Sequence, residues 1–300
     1  MSRLDFTDRV MIVTGAGRGI GRAHAELLAS RGAAVVVNDP GGAVDGTLYG
    51  EDPAGEVVSE IVAAGGRAVA STDSVATEEG ARAITDTAIS SFGRIDAVIN
   101  NAGIYAVEPW LDLPSSRYQD FLDVHYLGSL YVTRAAWPHL VASGQGRVVN
   151  TVSAAMLGVP DMVHYGSAKG AVYGLTRTLA VAGDAHGIKV NAIAPGAGTR
   201  MVDETKDALP PGAVEHMKAA MPPSLVAPAA AYLAHESCSV SGEVLSAAGG
   251  GVSRIVVGYT AGITDPELTP ETVADRLEEI LAVDDLQPAP LMLPASAPAS

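Results

Sequence analysis

Residues 10–21 read VMIVTGAGRGIG, and this stretch decides the fold of the chain. The apolar run at its start predicts a buried strand, and the pattern over residues 20–30 predicts a helix. Glycines between a strand and a helix permit a tight turn and let a pyrophosphate approach the helix N-terminus. Close helix–strand packing would use the same glycines, but the order strand, turn and helix favours a nucleotide site. The residues expected to contact the nucleotide there are Gly15, Arg18, Gly19, Ile20 and Gly21.

The remainder of the chain continues this alternation of short apolar runs and helical patterns. Further strands are predicted at residues 34–38, 68–71, 97–100, 147–151, 189–193 and 244–246, and further helices at residues 54–64, 78–92, 114–142 and 165–185. Parallel strands need crossover connections, and helices in those connections cover both faces of the sheet. Seven such strands predict an α/β fold with a doubly wound parallel sheet of the Rossmann type. We expect it to form one domain over residues 4–262.

The C-terminal residues differ in composition from this domain. Thr269, Pro270 and Glu271 form an N-cap, a first-turn proline and a first-turn acid, which predicts the start of a helix. A short helical extension is therefore expected over residues 263–286. Residues 287–300 are rich in proline, alanine and serine, and we expect them to be disordered.

Composition excludes several classes of function. A formal net charge of −15 opposes binding to nucleic acid or to an anionic membrane. The single cysteine, Cys238, cannot form an internal disulfide, which fits a reducing compartment. The N-terminus has no apolar leader, and the histidines and acidic residues lack the spacing of metal ligands. We therefore expect a soluble, cytoplasmic protein without a catalytic metal.

An acidic residue follows the second predicted strand. Asp39 lies eighteen residues after Gly21, where a carboxylate accepts hydrogen bonds from the 2′-hydroxyl of an adenine ribose. The same carboxylate would repel a 2′-phosphate, so NAD is favoured over NADP. Arg18 is a competing signal because it could contact a phosphate. Asn-Asp-Pro-Gly-Gly is also turn chemistry in any fold, which would give Asp39 a local role only.

A tyrosine and a lysine share one face of the helix predicted from residue 165. Tyr165 and Lys169 are spaced i, i+4, and Ser153 lies twelve residues before the tyrosine, just after a strand. A tyrosine with a pKa of about 10 is a poor base at neutral pH, so a nearby ammonium that stabilises the phenolate is useful. The serine hydroxyl could hold a substrate oxygen beside the tyrosine hydroxyl. This position in a nucleotide-binding sheet predicts acid–base chemistry.

These motifs resemble one enzyme family. TGAGRGIG (14–21), NNAG (100–103), Ser153, YGSAK (165–169) and APG (194–196) resemble the classical short-chain dehydrogenase/reductase family over about residues 4–250. The chain is most similar to the (3R)-hydroxyacyl-CoA dehydrogenase units of multifunctional β-oxidation enzymes. That closer similarity lies in VVVNDPGG (35–42), FGRIDAVINNAGI (92–104), GSLYVTRAAW (128–137), HESC (235–238) and TPETV (269–273).

The resemblance implies a role for each site residue. Tyr165 would exchange a proton with the substrate, Lys169 would lower the tyrosine pKa and hold the nicotinamide ribose, and Ser153 would orient the substrate. The further cofactor contacts that it implies are Asp73, Ser74, Asn101, Ala102, Gly103, Pro195, Gly196 and Thr199. Thr199 is one residue closer to Pro195 than the family's usual threonine. Members of the family are usually tetramers, so the resemblance also implies a homotetramer, built on the helices near residues 114–142 and 165–185.

His125 departs from the family pattern. The family has an asparagine there, which supports a water-mediated proton relay to the lysine. Histidine can also donate and accept hydrogen bonds, so it could keep that relay. An ordinary buried histidine in a helix interface is an equal alternative.

The chemistry expected from this set is reversible hydride transfer between the nicotinamide of NAD and a secondary alcohol or its ketone. The substrate classes left open are a 3-hydroxyacyl thioester, a steroid and a terpenoid alcohol. Residues 197–224 would form an apolar cover over the substrate, and the insertion at residues 41–53 could cover the adenine. An NAD-sensing binding protein is the non-enzymatic alternative, although Ser153, Tyr165 and Lys169 are all present.

Overall fold

The central sheet has eight strands in the order β3-β2-β1-β4-β5-β6-β7-β8. This is seen in a computed structural model that describes residues 3–48, 50–203, 210 and 212–293. The strands are β1 Val10–Thr14, β2 Ala34–Asn38, β3 Arg67–Ser71, β4 Ala97–Asn100, β5 Arg147–Thr151, β6 Lys189–Gly196, β7 Val244–Ala248 and β8 Gly251–Ile255. The first seven run parallel, which confirms the predicted doubly wound sheet.

The eighth strand corrects the predicted count of seven. β8 pairs antiparallel with β7 through a tight hairpin at Gly249 and Gly250, both of which have positive φ. A two-residue hairpin turn matches the twist of its strands when both turn residues have positive φ. Glycine adopts positive φ readily, so two glycines suit this turn. The strand is almost wholly exposed, so its sequence, GVSRI, carries no buried apolar run. An edge strand of this kind escapes a search for hydrophobic periodicity.

Helices cover both faces of the sheet. They are α1 Gly19–Ser30, α2 Pro53–Ala63, α3 Glu78–Phe92, α4 Ser115–Phe121, α5 Gly128–Ser143, α6 Val163–Asp184, α7 Ala213–Ala220 and α8 Ala227–Ala234. The single helix expected over residues 114–142 is interrupted by a π-helical turn at Leu122–Leu127. Such turns insert one residue into a helix and are frequent at functional sites. This turn contains the buried His125.

The core lies on the two faces of the sheet, and alternation along β1 divides it. Met11 and Val13 belong to the cluster with α1, α2 and α8, whereas Val10 and Ile12 belong to the cluster with α3 and α5. Successive side chains of a strand point to opposite faces, so a strand buried on both sides must be apolar throughout. The strand order reverses between β1 and β4, and such a switch point leaves a crevice at the carboxyl ends of the strands.

The C-terminal extension packs on the domain. Thr269 caps α9 (Pro270–Asp275), which is followed by α10 (Leu277–Leu281) and by a two-stranded pairing of β9 (Gly258–Tyr259) with β10 (Gln287–Pro288). Among the described residues, no helix is both long enough and apolar enough to cross a membrane.

Residues 287–293 are placed against the domain, which differs from the expected disorder of residues 287–300. The Arg177 guanidinium donates to the Ala289 carbonyl oxygen at 2.6 Å, and Leu291 lies against Gly242. These contacts use a backbone acceptor and one apolar side chain, which composition does not reveal. The last part of the predicted tail, residues 294–300, lies outside the described residues.

Candidate active site

A cleft of about 870 Å³ opens at the carboxyl ends of the parallel strands. Loops that follow β1 to β6 line it, so one edge of the sheet brings distant parts of the sequence together. The predicted site residues that line it are Gly15, Arg18, Gly19, Ile20, Asp39, Ser74, Asn101, Ala102, Gly103, His125, Ser153, Tyr165, Lys169, Pro195, Gly196 and Thr199. Two predicted cofactor contacts, Gly21 and Asp73, are not among the lining residues.

The glycine turn leaves room for a phosphate at the start of α1. Gly15 and Gly19 have φ of +61° and +56°, and a Cβ on Gly15 would lie 2.8 Å from Ala102 Cα. Gly21 serves packing, since its Cβ would lie 2.2 Å from the Gly15 carbonyl oxygen. Within the described chain, no side chain caps α1 and its first turn holds no acid. The free N–H groups and the helix dipole therefore favour an anion there.

Asn101 braces this turn. Its side-chain amide donates to the carbonyl oxygens of Thr14 at 2.9 Å and Gly15 at 3.0 Å. The Thr14 hydroxyl in turn accepts from the backbone N–H groups of Asn101 and Ala102, both at 3.0 Å. The side chain of Asn101 thus holds the end of β4 against the glycine turn and helps to shape the cleft.

Asp39 is nearly buried, at 8% exposure, and both of its oxygens face loop N–H groups. Oδ2 accepts from Gly17 N at 3.0 Å and Oδ1 accepts from Gly41 N at 2.9 Å. A carboxylate has about four lone-pair positions, so two stay available to ribose hydroxyls. The carboxylate is therefore held in one orientation at the end of β2.

Arg18 and Arg200 converge on one backbone oxygen. The Arg18 guanidinium pairs with Glu51 and lies 3.4 Å from the Gly42 carbonyl oxygen. Two Arg200 nitrogens each lie 3.2 Å from the same oxygen. Thr199, the neighbour of Arg200, lies against Gly19, because a Cβ on that glycine would be 3.3 Å from Thr199 Cγ2. Three segments therefore meet over the glycine turn.

Asp73 and Ser74 separate in the structure. The Asp73 carbonyl oxygen accepts from Asn38 Nδ2 at 2.8 Å, and its carboxylate accepts from the Ser71 hydroxyl at 3.1 Å. Asp73 therefore braces the ends of β2 and β3 beside the cleft. Ser74 lines the cleft directly.

Ser153, Tyr165 and Lys169 are brought together in the cleft. Lys169 is 3% exposed, and its ammonium donates to the Thr151 carbonyl oxygen at 2.7 Å. Lys169 Nζ lies 5.7 Å from the centroid of the Tyr165 ring. Burial lowers the pKa of Lys169 to about 7. Burial also raises the pKa of Tyr165 to about 12, and a hydrogen bond with Ser153 opposes that rise.

The direction of the tyrosine pKa differs from the expected lowering by lysine. Desolvation disfavours the phenolate, and the neighbouring Tyr105 acts in the same direction. The Tyr105 ring lies 5.3 Å from the Tyr165 ring, edge to face. In this state Tyr165 holds its proton at neutral pH. Sequence reasoning missed Tyr105 and Thr151, because nothing in the i, i+4 pattern points to them.

His125 is buried between aromatic rings. Its centroid lies 5.8 Å from Phe121, in a stacked arrangement, and 5.4 Å from Tyr165. Nε2 lies 2.9 Å from the Ile104 carbonyl oxygen, so that nitrogen carries a proton. Burial and the nearby Lys169 hold the pKa of His125 well below its usual range. The ring is therefore neutral, and none of the described groups bonds its Nδ1, which stays an acceptor.

Gly103 makes room for this histidine. A Cβ at position 103 would lie 2.5 Å from His125 Cε1. Gly103, which was predicted to contact the cofactor, therefore also fixes the position of the His125 ring.

His164 forms part of a brace beside Tyr165; it is buried and is not among the residues that line the cleft. Its ring is buried edge-on to Phe121 at 4.2 Å, and Nε2 lies 3.4 Å from a Glu108 carboxylate oxygen. The same carboxylate oxygen accepts from Arg117 Nε at 3.1 Å. This brace links the segment after β4 to the start of α6, which carries Tyr165.

Residues 42, 43 and 45–48, which belong to the insertion at residues 41–53, line the cleft. The Tyr105 N–H donates to the Val44 carbonyl oxygen at 2.8 Å, and an Arg117 nitrogen donates to the Asp45 carbonyl oxygen at 3.1 Å. Helix α7 contributes Met217 to the lining of the cleft, and Met221, directly after the helix, also lines it. Part of the predicted cover, residues 204–209 and 211, lies outside the described residues.

The Rossmann-type sheet, the glycine turn and the cluster of serine, tyrosine and lysine define a nucleotide-dependent oxidoreductase. The sequence profile of the family described as short chain dehydrogenase matches residues 9–209. The chain therefore belongs to the short-chain dehydrogenase family.

Individual relatives agree with this assignment. A short-chain type dehydrogenase/reductase of Mycobacterium tuberculosis is 44% identical over 91% of this chain and 94% of the relative. The peroxisomal multifunctional enzyme type 2 of Mus musculus is 40% identical over 93% of this chain, which spans only 37% of that enzyme. A solved 7α-hydroxysteroid dehydrogenase in complex with NADH and 7-oxo glycochenodeoxycholic acid is 32% identical, with a TM-score of 0.72 over 84% of this chain and 98% of that chain.

Proposed function

We propose that this chain is an NAD-dependent dehydrogenase that transfers a hydride between nicotinamide and a secondary alcohol or its ketone. The observation that carries the proposal is the placing of Ser153, Tyr165 and Lys169 in one cleft with the glycine turn. Fold alone would not suffice, since one fold hosts many functions. Here the side chains needed for proton transfer stand beside the place where a nucleotide fits.

The described residues fit a dinucleotide. The Gly15 and Gly19 turn gives the diphosphate its backbone donors, and Asp39 keeps lone pairs for the adenine ribose hydroxyls. Lys169 and Tyr165 would hold the nicotinamide ribose. The bound cofactor supplies the hydride acceptor or donor, and the protein supplies orientation. NADH in the solved 7α-hydroxysteroid dehydrogenase supports the choice of NAD.

The protein moves the proton at the Tyr165 hydroxyl oxygen. With a pKa of about 12, Tyr165 is protonated at neutral pH and can donate to the oxygen of a ketone as the carbon is reduced. In the oxidising direction it must first lose that proton. The Ser153 hydroxyl, which bonds the tyrosine hydroxyl, would hold the substrate oxygen at the same point. His125 would accept a hydrogen bond at Nδ1 and so extend a relay toward Lys169.

We propose a 3-hydroxyacyl thioester as the substrate class. The lining of the cleft includes Met201, Met217 and Met221, whose apolar side chains suit an acyl chain. The motif resemblance to (3R)-hydroxyacyl-CoA dehydrogenase units supports the thioester. A steroid is the second candidate, because a similar solved structure holds 7-oxo glycochenodeoxycholic acid.

Assembly as a homotetramer in the cytoplasm completes the proposal. Gly170 and Gly174 lie on α6, and a Cβ at either position would meet nothing within 4 Å among the described residues. A helix surface with so little side-chain cover permits close approach of a second helix. Light scattering of the purified protein measures the assembly directly.

The test of the function is turnover on a substrate panel. Purified protein is given NAD or NADP with 3-hydroxyacyl-CoA thioesters, hydroxysteroids and terpenoid alcohols, and absorbance of the reduced cofactor is followed. The proposal predicts NAD reduction, fastest with a 3-hydroxyacyl thioester. Binding of NADH without turnover on any alcohol or ketone would favour a nucleotide-sensing protein.

A further inference from the structure

At the glycine turn, a corner at the edge of the cleft brings together the carboxylates of Asp39 and Glu51 and the guanidinium groups of Arg18 and Arg200. Arg18 stands at the glycine turn, directly before α1, and its guanidinium pairs with Glu51. Asp39 accepts from the N–H of Gly17, the residue before Arg18. Arg200 also reaches this corner, where it donates to the Gly42 carbonyl oxygen, but among the described ion pairs Glu51 is the acid that pairs with Arg18.

The course of the insertion explains how Glu51 reaches this corner. Gly41 has φ of +78°, and a Cβ there would lie 2.1 Å from the Glu51 carbonyl oxygen. Glu51 therefore lies directly against Gly41, two residues after Asp39. Pro53 then packs on Gly17, where a Cβ would lie 2.7 Å from Pro53 Cβ. Two close glycine contacts therefore fix the backbone from the Glu51 carbonyl group to Pro53.

The chemistry of dinucleotides gives this pairing a consequence. A carboxylate after the second strand binds the ribose 2′-hydroxyl, whereas a nearby arginine accommodates the 2′-phosphate of NADP. Arginine binds phosphate strongly because its donors match the phosphate oxygens. Arg18 is placed to be that arginine, but one of its nitrogens pairs with Glu51, which adds a second negative charge. A 2′-phosphate entering this corner would compete with Glu51 for Arg18.

We infer that Glu51 is a specificity-determining residue, which neutralises Arg18 and excludes dinucleotides that carry a 2′-phosphate. The Asp39 carboxylate repels a 2′-phosphate. Glu51 neutralises Arg18 and so removes the attraction that would otherwise offset this repulsion. The inference rests on the proposed function only in that the cleft binds a dinucleotide. It does not depend on which alcohol is oxidised.

Calorimetric titration of the full-length protein with NADH and with NADPH tests the inference. The variants are Glu51→Gln and the double variant Arg18→Gln/Glu51→Gln. Freeing a partly exposed arginine for a phosphate is expected to lower the ratio of the NADPH Kd to the NADH Kd about fivefold to tenfold in Glu51→Gln. The double variant, which lacks the freed guanidinium, returns the ratio to the wild-type value.

Glu60→Gln is the matched control. Glu60 lies on α2, pairs with Arg22 outside the cleft and has a side-chain exposure of 52%, close to the 56% of Glu51. The substitution removes the same charge from an arginine pair, so it separates a local effect from net charge. The ratio of the two Kd values is expected to stay at the wild-type value.

Two results in Glu51→Gln overturn the inference. The first is an unchanged ratio in Glu51→Gln, and the second is an equal weakening of both dinucleotides, which would mean that Glu51 only holds the insertion in place. Wild-type protein that binds neither dinucleotide would overturn the proposed function as well. Protein that binds NADH but turns over no alcohol would overturn the proposed function alone, because the Kd ratios still decide the role of Glu51.

Discussion

Replacing Lys169 by methionine is expected to make the cofactor-free protein more stable at neutral pH. Burial lowers the lysine pKa from 10.5 to about 7, so the unfolded state binds more protons between these values. Stability from this group therefore rises with pH across that window; it is lost progressively as pH falls from about 10.5 to about 7 and changes little below that. At about 1.36 kcal/mol per pKa unit, the buried lysine costs about 4 kcal/mol at pH 7 and about 1 kcal/mol at pH 10.

The lost hydrogen bond offsets part of that gain. Lys169 Nζ donates to the buried Thr151 carbonyl oxygen at 2.7 Å, and methionine leaves this acceptor without its donor. Such a loss costs about 1–3 kcal/mol. The net expectation is that Lys169→Met is about 2 kcal/mol more stable than the wild type at pH 7 and about 1 kcal/mol less stable at pH 10.

Urea denaturation at pH 6, 7, 8.5 and 10 measures both values. Lys218→Met serves as the control, because Lys218 is exposed and pairs with Asp203 at the surface. The difference in the free energy of unfolding between Lys218→Met and the wild type should vary little between pH 7 and pH 10. A Lys169→Met protein that is less stable at pH 7, or whose advantage does not change sign by pH 10, would refute the reasoning.

Three further predictions concern the cleft. Gly21→Ala should lower the free energy of unfolding by about 3 kcal/mol or more, since its Cβ would lie 2.2 Å from a carbonyl oxygen; a loss below about 1 kcal/mol in denaturant would contradict this. His125→Leu should reduce kcat about 100-fold and His125→Asn less than tenfold, because only asparagine keeps a donor and an acceptor; equal losses would remove His125 from the relay. Because the pKa of Tyr165 is raised to about 12, kcat/KM for alcohol oxidation should rise from pH 7 to pH 10, and a fall over that range would count against Tyr165 as the base.

Much of the sheet could be predicted from the sequence because its strands are buried on both faces. The predicted bounds of β2, β4 and β5 match the structure, since each is a short, largely apolar run closed by a turn. β8 could not be found in this way, because an exposed hairpin strand has no apolar pattern. The π-helical turn was equally invisible, since one extra residue shifts the helical period only locally.

The candidate site, like the sheet, could be predicted from the sequence only in part. Ser153, Tyr165 and Lys169 could be predicted, because the carboxyl ends of parallel strands meet at one edge. The pairing of Arg18 with Glu51 depends on how the insertion folds back on Gly41, which spacing along the chain does not reveal. The tyrosine pKa was expected to fall beside lysine, but the degree of burial decides its direction.

Turnover by Tyr165→Phe tests the central claim most directly. Phenylalanine keeps the ring contacts with His125 and Tyr105 and removes only the hydroxyl that carries the proton. With a substrate identified from the panel, kcat/KM for NAD reduction should fall about 1,000-fold or more, while the variant still folds and binds NADH. Turnover within tenfold of the wild type would contradict the assignment of Tyr165 as the group that transfers the proton.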